Sequence, residues 1–321
     1  MRILVTGATG RLGSTLLDHL VRRSRHEVVA WGGFAAITRG TIAIRPVNLA
    51  DPPALAMALA EDDPDAIVHA GALSSADSVL RDPARGRAVN VESTRILAEW
   101  AGARGRRLVF TSTDLVFDGS RSWWREEDEA RPVLAYGQTK LEAEAHVRAI
   151  DRGLVARLSL LFGPNASGRP DFFSLAVQAL RRGEPRSFFH DEFRTPLDYQ
   201  TAAEVLVRLV ESDAVGIVHV AGQDRLSRFD LMQRTAATLG LDLDLVRPGS
   251  QSEITLPEPR PCDASLDTTR LTEILPNLNR PTLETALRIC PGSREDGFTT
   301  EDTESTEGDR EKYKDQQNSS F

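Results

Sequence analysis

Tyr136 and Lys140 stand four residues apart in Tyr136-Gly137-Gln138-Thr139-Lys140, at the start of an expected helix that continues through Leu141, Ala143, Ala145 and Val147. That spacing puts a phenol and an ammonium on one helix face, one turn apart. A phenol with an ordinary pKa of about 10 exchanges protons poorly near neutrality, and a fixed positive charge nearby favours the phenolate. Bringing the pKa down by about 3 units takes roughly 4 kcal/mol of differential stabilisation. One ammonium in a partly desolvated site, aided by a second positive group such as an oxidised nicotinamide ring, supplies that. The same spacing also occurs on ordinary solvated helices, so the surrounding elements decide.

The first of them is at the N-terminus. Ile3-Leu4-Val5 is an apolar run that reaches Thr6 and meets Gly7-Ala8-Thr9-Gly10-Arg11-Leu12-Gly13, after which Leu12, Leu16, Leu17, Leu20 and Val21 recur at helical spacing. In a strand–turn–helix of this kind Gly7 permits the tight turn, Gly10 lets backbone approach a pyrophosphate, and Gly13 lets helix pack on sheet. The helix N-terminus then offers free N–H groups to the phosphates. A bare structural turn is the alternative. After the second strand, where an acid would bond a ribose 2′-hydroxyl, the chain reads Ala30-Trp31-Gly32-Gly33. No carboxylate repels a 2′-phosphate there, and Arg11 or Arg39 is available to pair with one, which favours NADP(H) over NAD(H).

Further strands are expected at Val28–Trp31, Ile42–Ile44, Ala66–His69, Arg107–Thr111 and Leu154–Arg157, separated by helices after Asp51, over about 84–103, and from Tyr136. Strands apolar on both faces, alternating with helices, indicate an α/β fold: a doubly wound parallel Rossmann sheet. The fifth strand ends in Thr111-Ser112-Thr113-Asp114, and strand ends of such sheets face the ligand crevice. A hydroxyl there can donate to a carbonyl oxygen or simply cap a turn. His69 ends a buried strand and reads as a packed histidine. Asn90 lies in a helix where it can link backbone groups to Tyr136. Trp123-Trp124 reads as a lid or an oligomer contact.

Residues 1–162 are the expected dinucleotide-binding domain, with a late strand at 216–221 added to its sheet. Residues 163–292 form a smaller, interleaved substrate lobe, and 293–321, rich in Glu, Asp, Ser and Thr, an acidic tail expected to be disordered. Most of the formal charge of −8 lies in that tail. Neither nucleic acid nor an anionic membrane is therefore an expected partner. Two cysteines, Cys262 and Cys290, make no disulfide framework or metal site, and no metal is expected. With no signal or membrane segment apparent, a cytoplasmic protein is expected.

Taken together, Thr6-Gly7-Ala8-Thr9-Gly10-Arg11-Leu12-Gly13, His69-Ala70-Gly71-Ala72, Asn90, Thr113 and the Tyr136/Lys140 pair resemble the extended short-chain dehydrogenase/reductases in order and spacing. Ser112-Thr113-Asp114-Leu115-Val116-Phe117-Asp118-Gly119, Arg194-Thr195-Pro196 and Arg260-Pro261 resemble the dTDP-4-dehydrorhamnose reductase branch. The resemblance covers about residues 1–290. It implies Thr113, Tyr136 and Lys140 as the catalytic set. It implies cofactor contacts from Gly7, Thr9, Gly10, Arg11, Leu12, Gly13, Ala70, Gly71, Ala72, Tyr136 and Lys140. Asp114, Phe117, Leu160 and Arg260 are the implied substrate contacts, Leu160 standing where the branch commonly has a tryptophan. The implied activity is NADP(H)-dependent reduction of a nucleotide-linked 4-keto sugar, with a homodimer as the expected assembly. The alternatives are a sugar-nucleotide epimerase or dehydratase of the same fold, or a non-catalytic subunit like the regulatory β subunit of methionine adenosyltransferase.

Overall fold

A computed structural model describes residues 1–23, 26–33 and 36–289. The expected acidic tail and Cys290 lie outside the described residues. The main sheet has eight strands. In chain order the first seven are β1 (Arg2–Thr6), β2 (Glu27–Gly32), β3 (Ile37–Arg39), β4 (Ile42–Pro46), β5 (Ala66–His69), β6 (Arg107–Thr113) and β7 (Gly153–Leu158), and Gly216–Val220 is the eighth. From one edge the order is Gly216–Val220, β7, β6, β5, β1, β2, β4, β3. All neighbours are parallel except the β3–β4 hairpin.

Alternation along the strands divides their side chains between two apolar layers. Ile3, Val5, Val68 and Val109 pack with Leu16, Leu17 and Leu20 of helix α1 (Arg11–Arg23) and with Ala202, Leu206 and Leu209 of the Tyr199–Glu211 helix. Leu4, Ile67, Leu108 and Val155 face the other way, against Leu55 and Leu59 of Pro52–Asp62, Leu97 and Ala101 of Ser93–Ala103, and Ala143 and Val147 of Ala135–Arg148. Helices therefore cover both faces, as strands with no polar face require. A separate apolar cluster holds the lobe together, with Phe162, Phe173, Val177, Phe188, Leu231, Met232 and Leu287 at its centre.

Two local features depart from the expected elements. The long helix over 84–103 is interrupted: Pro83–Arg87 leads into a π-helical turn at Ala88–Glu92 before Ser93–Ala103. The inserted turn holds Asn90, which is 1% exposed. π-Turns cost helix geometry and recur at functional sites. The short strand β3 was also not expected, since Ile37, Thr38 and Arg39 form an exposed edge with no buried apolar stripe to mark it.

The glycine turn is closed by contacts that admit no side chain. Gly7 has φ +67, and a Cβ on it would lie 2.6 Å from the Cα of Gly71. A Cβ on Gly13 would lie 2.1 Å from the carbonyl oxygen of Gly7. Gly13→Ala is therefore expected to destabilise the fold by about 1–3 kcal/mol. Gly33→Ala, where nothing lies within 4 Å, is expected to change stability by less than about 0.5 kcal/mol. Urea unfolding of the two variants checks the contrast.

Candidate active site

The turn after β1 carries its open side at Gly10, where an added Cβ would meet only the carbonyl oxygen of Gly7. The first N–H groups of α1 follow at Arg11 and Leu12, without intrahelical partners. Thr9 packs its side chain where a Cβ on Gly32 would lie, at the tip of β2. Across the turn, the Gly71 amide donates to Thr6 Oγ1 at 3.0 Å, bringing Ala70-Gly71-Ala72 beside it. Two glycine faces in contact and an open helix N-terminus fit a dinucleotide diphosphate.

A row of hydrogen bonds runs beneath this cradle. Since Thr6 Oγ1 accepts from Gly71, its own proton goes to His69 Nδ1 at 2.6 Å. Thr94 gives its hydroxyl proton to the Asn90 carbonyl at 2.7 Å and so accepts from His69 Nε2 at 3.1 Å. His69 is thus a neutral, fully buried Nε2–H imidazole, as expected for a packed histidine. Burial and the Lys140 charge lower its pKa to about 3. Asn90 continues the row, bonding the Leu73 amide at 2.8 Å and the Leu73 carbonyl at 3.2 Å. It also donates to Thr139 Oγ1 at 3.0 Å, and Thr139 donates to the Tyr136 carbonyl at 2.8 Å. The expected link from Asn90 to the Tyr136 turn is present.

The Ala135–Arg148 helix starts without a side-chain cap of its own. Glu258, from the proline-rich segment of the lobe, accepts from the Ala135 amide at 2.8 Å instead. Gly137 lets this end press against the turn that follows β6, because a Cβ there would sit 2.2 Å from the Leu115 carbonyl oxygen. One turn on, Lys140 is 2% exposed with its ammonium 4.0 Å from the centre of the Phe110 ring. The helix thereby sets the Tyr136 turn against the turn after β6, with Lys140 over Phe110. Thr113 caps the short turn Asp114–Val116, accepting from the Leu115 amide at 3.2 Å, as its capping reading expected.

The electrostatics differ from the expectation that Lys140 pulls the phenol down. Burial and the Asp114 carboxylate push the Tyr136 phenol above its ordinary value. Lys140 is itself desolvated, its amine lowered to about 7 despite the partial support of Glu144. With its pKa near 7 the amine is only partly charged at neutrality, a weaker counter-charge to a phenolate than spacing alone assumed. Glu144 in turn is held by a buried ion pair with Arg157 (2.7 Å) and by Ser112 Oγ at 2.5 Å.

Other residues read from the sequence fall as follows. Arg39 lies opposite Ile42, and Ile44 opposite Ala30, so Arg39 is level with the early part of β2, roughly 13 Å from the Gly32 tip. It pairs with Asp18 at 2.7 Å and is not placed to meet a 2′-phosphate. Arg11 stays beside the glycine turn, donating to the Pro170 carbonyl at 3.0 and 3.2 Å. Leu12 packs into the sheet core. Phe117 is fully buried and stacked on Trp124 at 4.5 Å, so it is a core residue with no surface to offer a substrate. Trp124 is a core residue as well, its indole N–H on the Asp263 carbonyl, which corrects the lid reading of the pair. Trp123 is 41% exposed. Leu160 borders the lobe cluster.

Arg260 belongs to a charged group that the sequence did not reveal. Glu192, 1% exposed, faces Arg228 at 2.9 Å, Arg194 at 3.1 Å and Arg260 at 4.0 Å. These guanidinium groups hold its carboxyl at about 2. Arg194 reaches on to Asp114 at 3.8 Å. Arg194 and Arg260 stand in recognisable motifs, but nothing around Glu192 or Arg228 marks them.

A parallel α/β sheet with this glycine cradle and a tyrosine–lysine helix beside it defines an extended short-chain dehydrogenase/reductase, an NAD(P)-dependent oxidoreductase. Residues 1–290 match the RmlD substrate binding domain, and the chain belongs to that family. It is similar to a probable dTDP-4,6-dihydroxy-2-methyloxan-3-one 4-ketoreductase of Streptomyces antibioticus, 30% identical over 81% of this chain and 85% of that one. It is likewise similar to methionine adenosyltransferase 2 subunit beta of Bos taurus, 29% identical over 84% of this chain and 81% of that one. Among solved structures, a hypothetical dTDP-4-dehydrorhamnose reductase from Sulfolobus tokodaii superposes with a TM-score of 0.77 at 28% identity, over 89% of this chain and 99% of that one.

The buried imidazoles have a consequence for stability. His69 and His219 both fall to about 3 in the fold, His219 through burial and the Arg157 charge. Between about pH 3 and their unfolded value near 6.5, the unfolded chain holds more protons, so stability rises with pH across that window. Asp114 and Glu126, whose carboxyls burial raises, oppose this trend. His219→Asn, which can keep a donor toward the Asp267 carbonyl, isolates one imidazole. Its unfolding free energy is expected to climb less steeply than the parent's between pH 4 and 6, by about 1.4 kcal/mol per pH unit. Urea titrations at several pH values check this.

Proposed function

We propose that the protein is an NADP(H)-dependent reductase of a 4-keto sugar carried on a nucleotide, with Tyr136 as general acid. The observation that carries the reading is the contact of the Tyr136 turn with the Thr113 end of β6, beside an open glycine cradle. A reduced nicotinamide, when bound, supplies hydride to the carbonyl carbon. Tyr136 gives its proton to the oxygen as negative charge develops there. Its raised pKa suits this direction, because the phenol stays protonated across the working range. Thr113 turns its hydroxyl, 3.3 Å from Asp114 Oδ1, toward the same oxygen and fixes it for attack. Lys140 orients the cofactor ribose and holds a proton in reserve near neutrality.

The cofactor preference is supported by Gly32-Gly33 at the β2 tip, where no acid stands against a 2′-phosphate, and by Arg11 at the turn. Arg260 and Arg228, partly exposed around buried Glu192, supply cations for a diphosphate, and Leu160 lies at the lobe seam for the sugar. A single guanidinium–phosphate fork is strong and directional, which suits anchoring one end of a nucleotide sugar.

NADPH and NADH oxidation against a panel of nucleotide-linked 4-keto sugars tests the reading. Tyr136→Phe is expected to lower kcat by about 10²–10⁴-fold while the cofactor Kd stays within about threefold of the parent. Unchanged turnover would remove Tyr136 from the chemistry. Net consumption of reduced cofactor separates a reductase from an epimerase or dehydratase, which returns it. The resemblance to a methionine adenosyltransferase β subunit favours a second reading, a dinucleotide-binding regulatory subunit. A stoichiometric protein partner, with no ketone reduced across the panel, would support that one.

A further inference from the structure

Tyr136 is the second residue of the Ala135–Arg148 helix, and helix starts fray unless their free amides are met. The first helical bond there runs from the Gln138 amide to the Leu134 carbonyl at 3.0 Å, so the Ala135, Tyr136 and Gly137 amides have no helical acceptor. Leu134 stands at the cap position with no oxygen in its side chain to offer. Glu258 fills that place from the lobe. Its Oε1 accepts from the Ala135 amide at 2.8 Å, across 123 residues of chain. A carboxylate also suits the positive end of a helix.

Glu258 lies in Pro257-Glu258-Pro259-Arg260-Pro261, where a proline on either side restricts the backbone at both Glu258 and Arg260. The far end of this strap is pinned twice. The Phe193 amide donates to the Cys262 carbonyl at 2.7 Å. Gly119, with φ +83, packs so closely that a Cβ on it would lie 2.7 Å from the Cα of Pro261. Arg260, two residues from Glu258, faces Glu192 at 4.0 Å. One stiff stretch of chain thus carries both the cap on the tyrosine turn and a guanidinium of the crevice wall.

We propose that Glu258 is a positioning residue for Tyr136, through which the lobe fixes the tyrosine turn in register with Arg260. The proposal rests on the reductase reading for what the phenol does, whereas the brace itself is present without substrate. Gly137 against Leu115, and Asn90 through Thr139, hold the turn from the side of the sheet. Glu258 is the hold from the lobe. Without it the first turn loosens around Tyr136, and an error of an ångström in a proton donor costs turnover more than binding.

The test compares Glu258→Ala, which removes the acceptor, with Glu258→Gln, whose side-chain oxygen can still take the Ala135 proton. Glu258 is part-buried, so both variants are expected to fold. In the full chain without ligands, amide exchange over residues 134–141 is expected to quicken on the order of tenfold in Glu258→Ala and to stay near the parent rate in Glu258→Gln. Labelling at the tyrosine ζ-carbon gives signals from Tyr136, Tyr199 and Tyr313, and Tyr136→Phe assigns the first. In Glu258→Ala that signal is expected to move or broaden while the Tyr199 signal stays in place. Unchanged exchange or an unmoved Tyr136 signal overturns the proposal, and so does a glutamine variant that behaves like the alanine one. On a ketone that the parent turns over, Glu258→Ala is expected to lower kcat about tenfold to a hundredfold, with substrate KM and cofactor Kd within about threefold of the parent. A kcat that holds while exchange quickens reduces Glu258 to a plain helix cap and overturns the positioning role. A moved Tyr136 signal with no ketone reduced by the parent sinks the reductase reading and leaves the brace standing. Reduction by the parent with an unmoved signal does the reverse.

Discussion

The inner face of the Ala135–Arg148 helix carries Lys140 and Glu144 where a packed helix ordinarily presents leucine, and both are 2% exposed or less. Burying such groups is costly unless each finds compensation. Much of the surrounding structure supplies it. Phe110 offers its ring face to the ammonium, while Arg157 and Ser112 saturate Glu144. Glu258 takes the free amide at the helix start, and Asn90 braces the first turn through Thr139. These partners come from β6, β7, the lobe and the π-turn, so four separate parts of the chain meet at this helix. Strand pairing, the break in the Pro83–Ala103 helix and the docking of the lobe are constrained by that one face.

The same logic runs through the lobe. Glu192 lies in a setting where burial raises a carboxyl, yet three guanidinium groups overcome that and bring it to about 2. The arginines come from separate stretches of chain: Arg194 beside the Pro196 turn, Arg228 at the start of Arg228–Leu239, and Arg260 in the proline-rich segment. One buried acid therefore gathers the lobe's crevice wall. Arg194 then carries the arrangement across to Asp114, so the positive wall of the lobe and the end of β6 meet through a run of alternating charge. Removing one member of such a run leaves its partners unpaired in a dry setting, which is costlier than exposed pairs such as Arg95–Glu99.

What was legible in the sequence follows from how local its cause is. The glycine turn could be read because the close approaches at Gly7 and Gly13 demand the absence of a side chain at fixed positions. Strand positions could be read because each apolar run is short and bounded. The Tyr136/Lys140 pair needed only helical spacing. The π-turn could not, since Asn90 is buried by partners at Leu73 and Thr139, far away in sequence. Arg39 was misread because only pairing register shows which end of the sheet it occupies. Phe117 and Trp124 were misread because an aromatic residue near a motif has the same letter whether it lines a cleft or fills a core. Glu192 had no signal at all: a lone glutamate becomes a hub only when three arginines are brought to it.

The direction of the phenol's shift bears on how a tyrosine of this kind works. A lowered pKa would serve an enzyme that must take a proton from an alcohol, whereas a raised one serves an enzyme that must keep a proton for an alkoxide. The fold raises the phenol by desolvation and by a nearby carboxylate, and weakens the one amine that would oppose it. Sequence spacing treats Tyr136 and Lys140 as an isolated pair, in which attraction between phenolate and ammonium decides the sign. Desolvation, with the Asp114 carboxylate adding to it, reverses that sign. A phenol held in this way keeps its proton through neutral pH, the form that can donate to an oxygen.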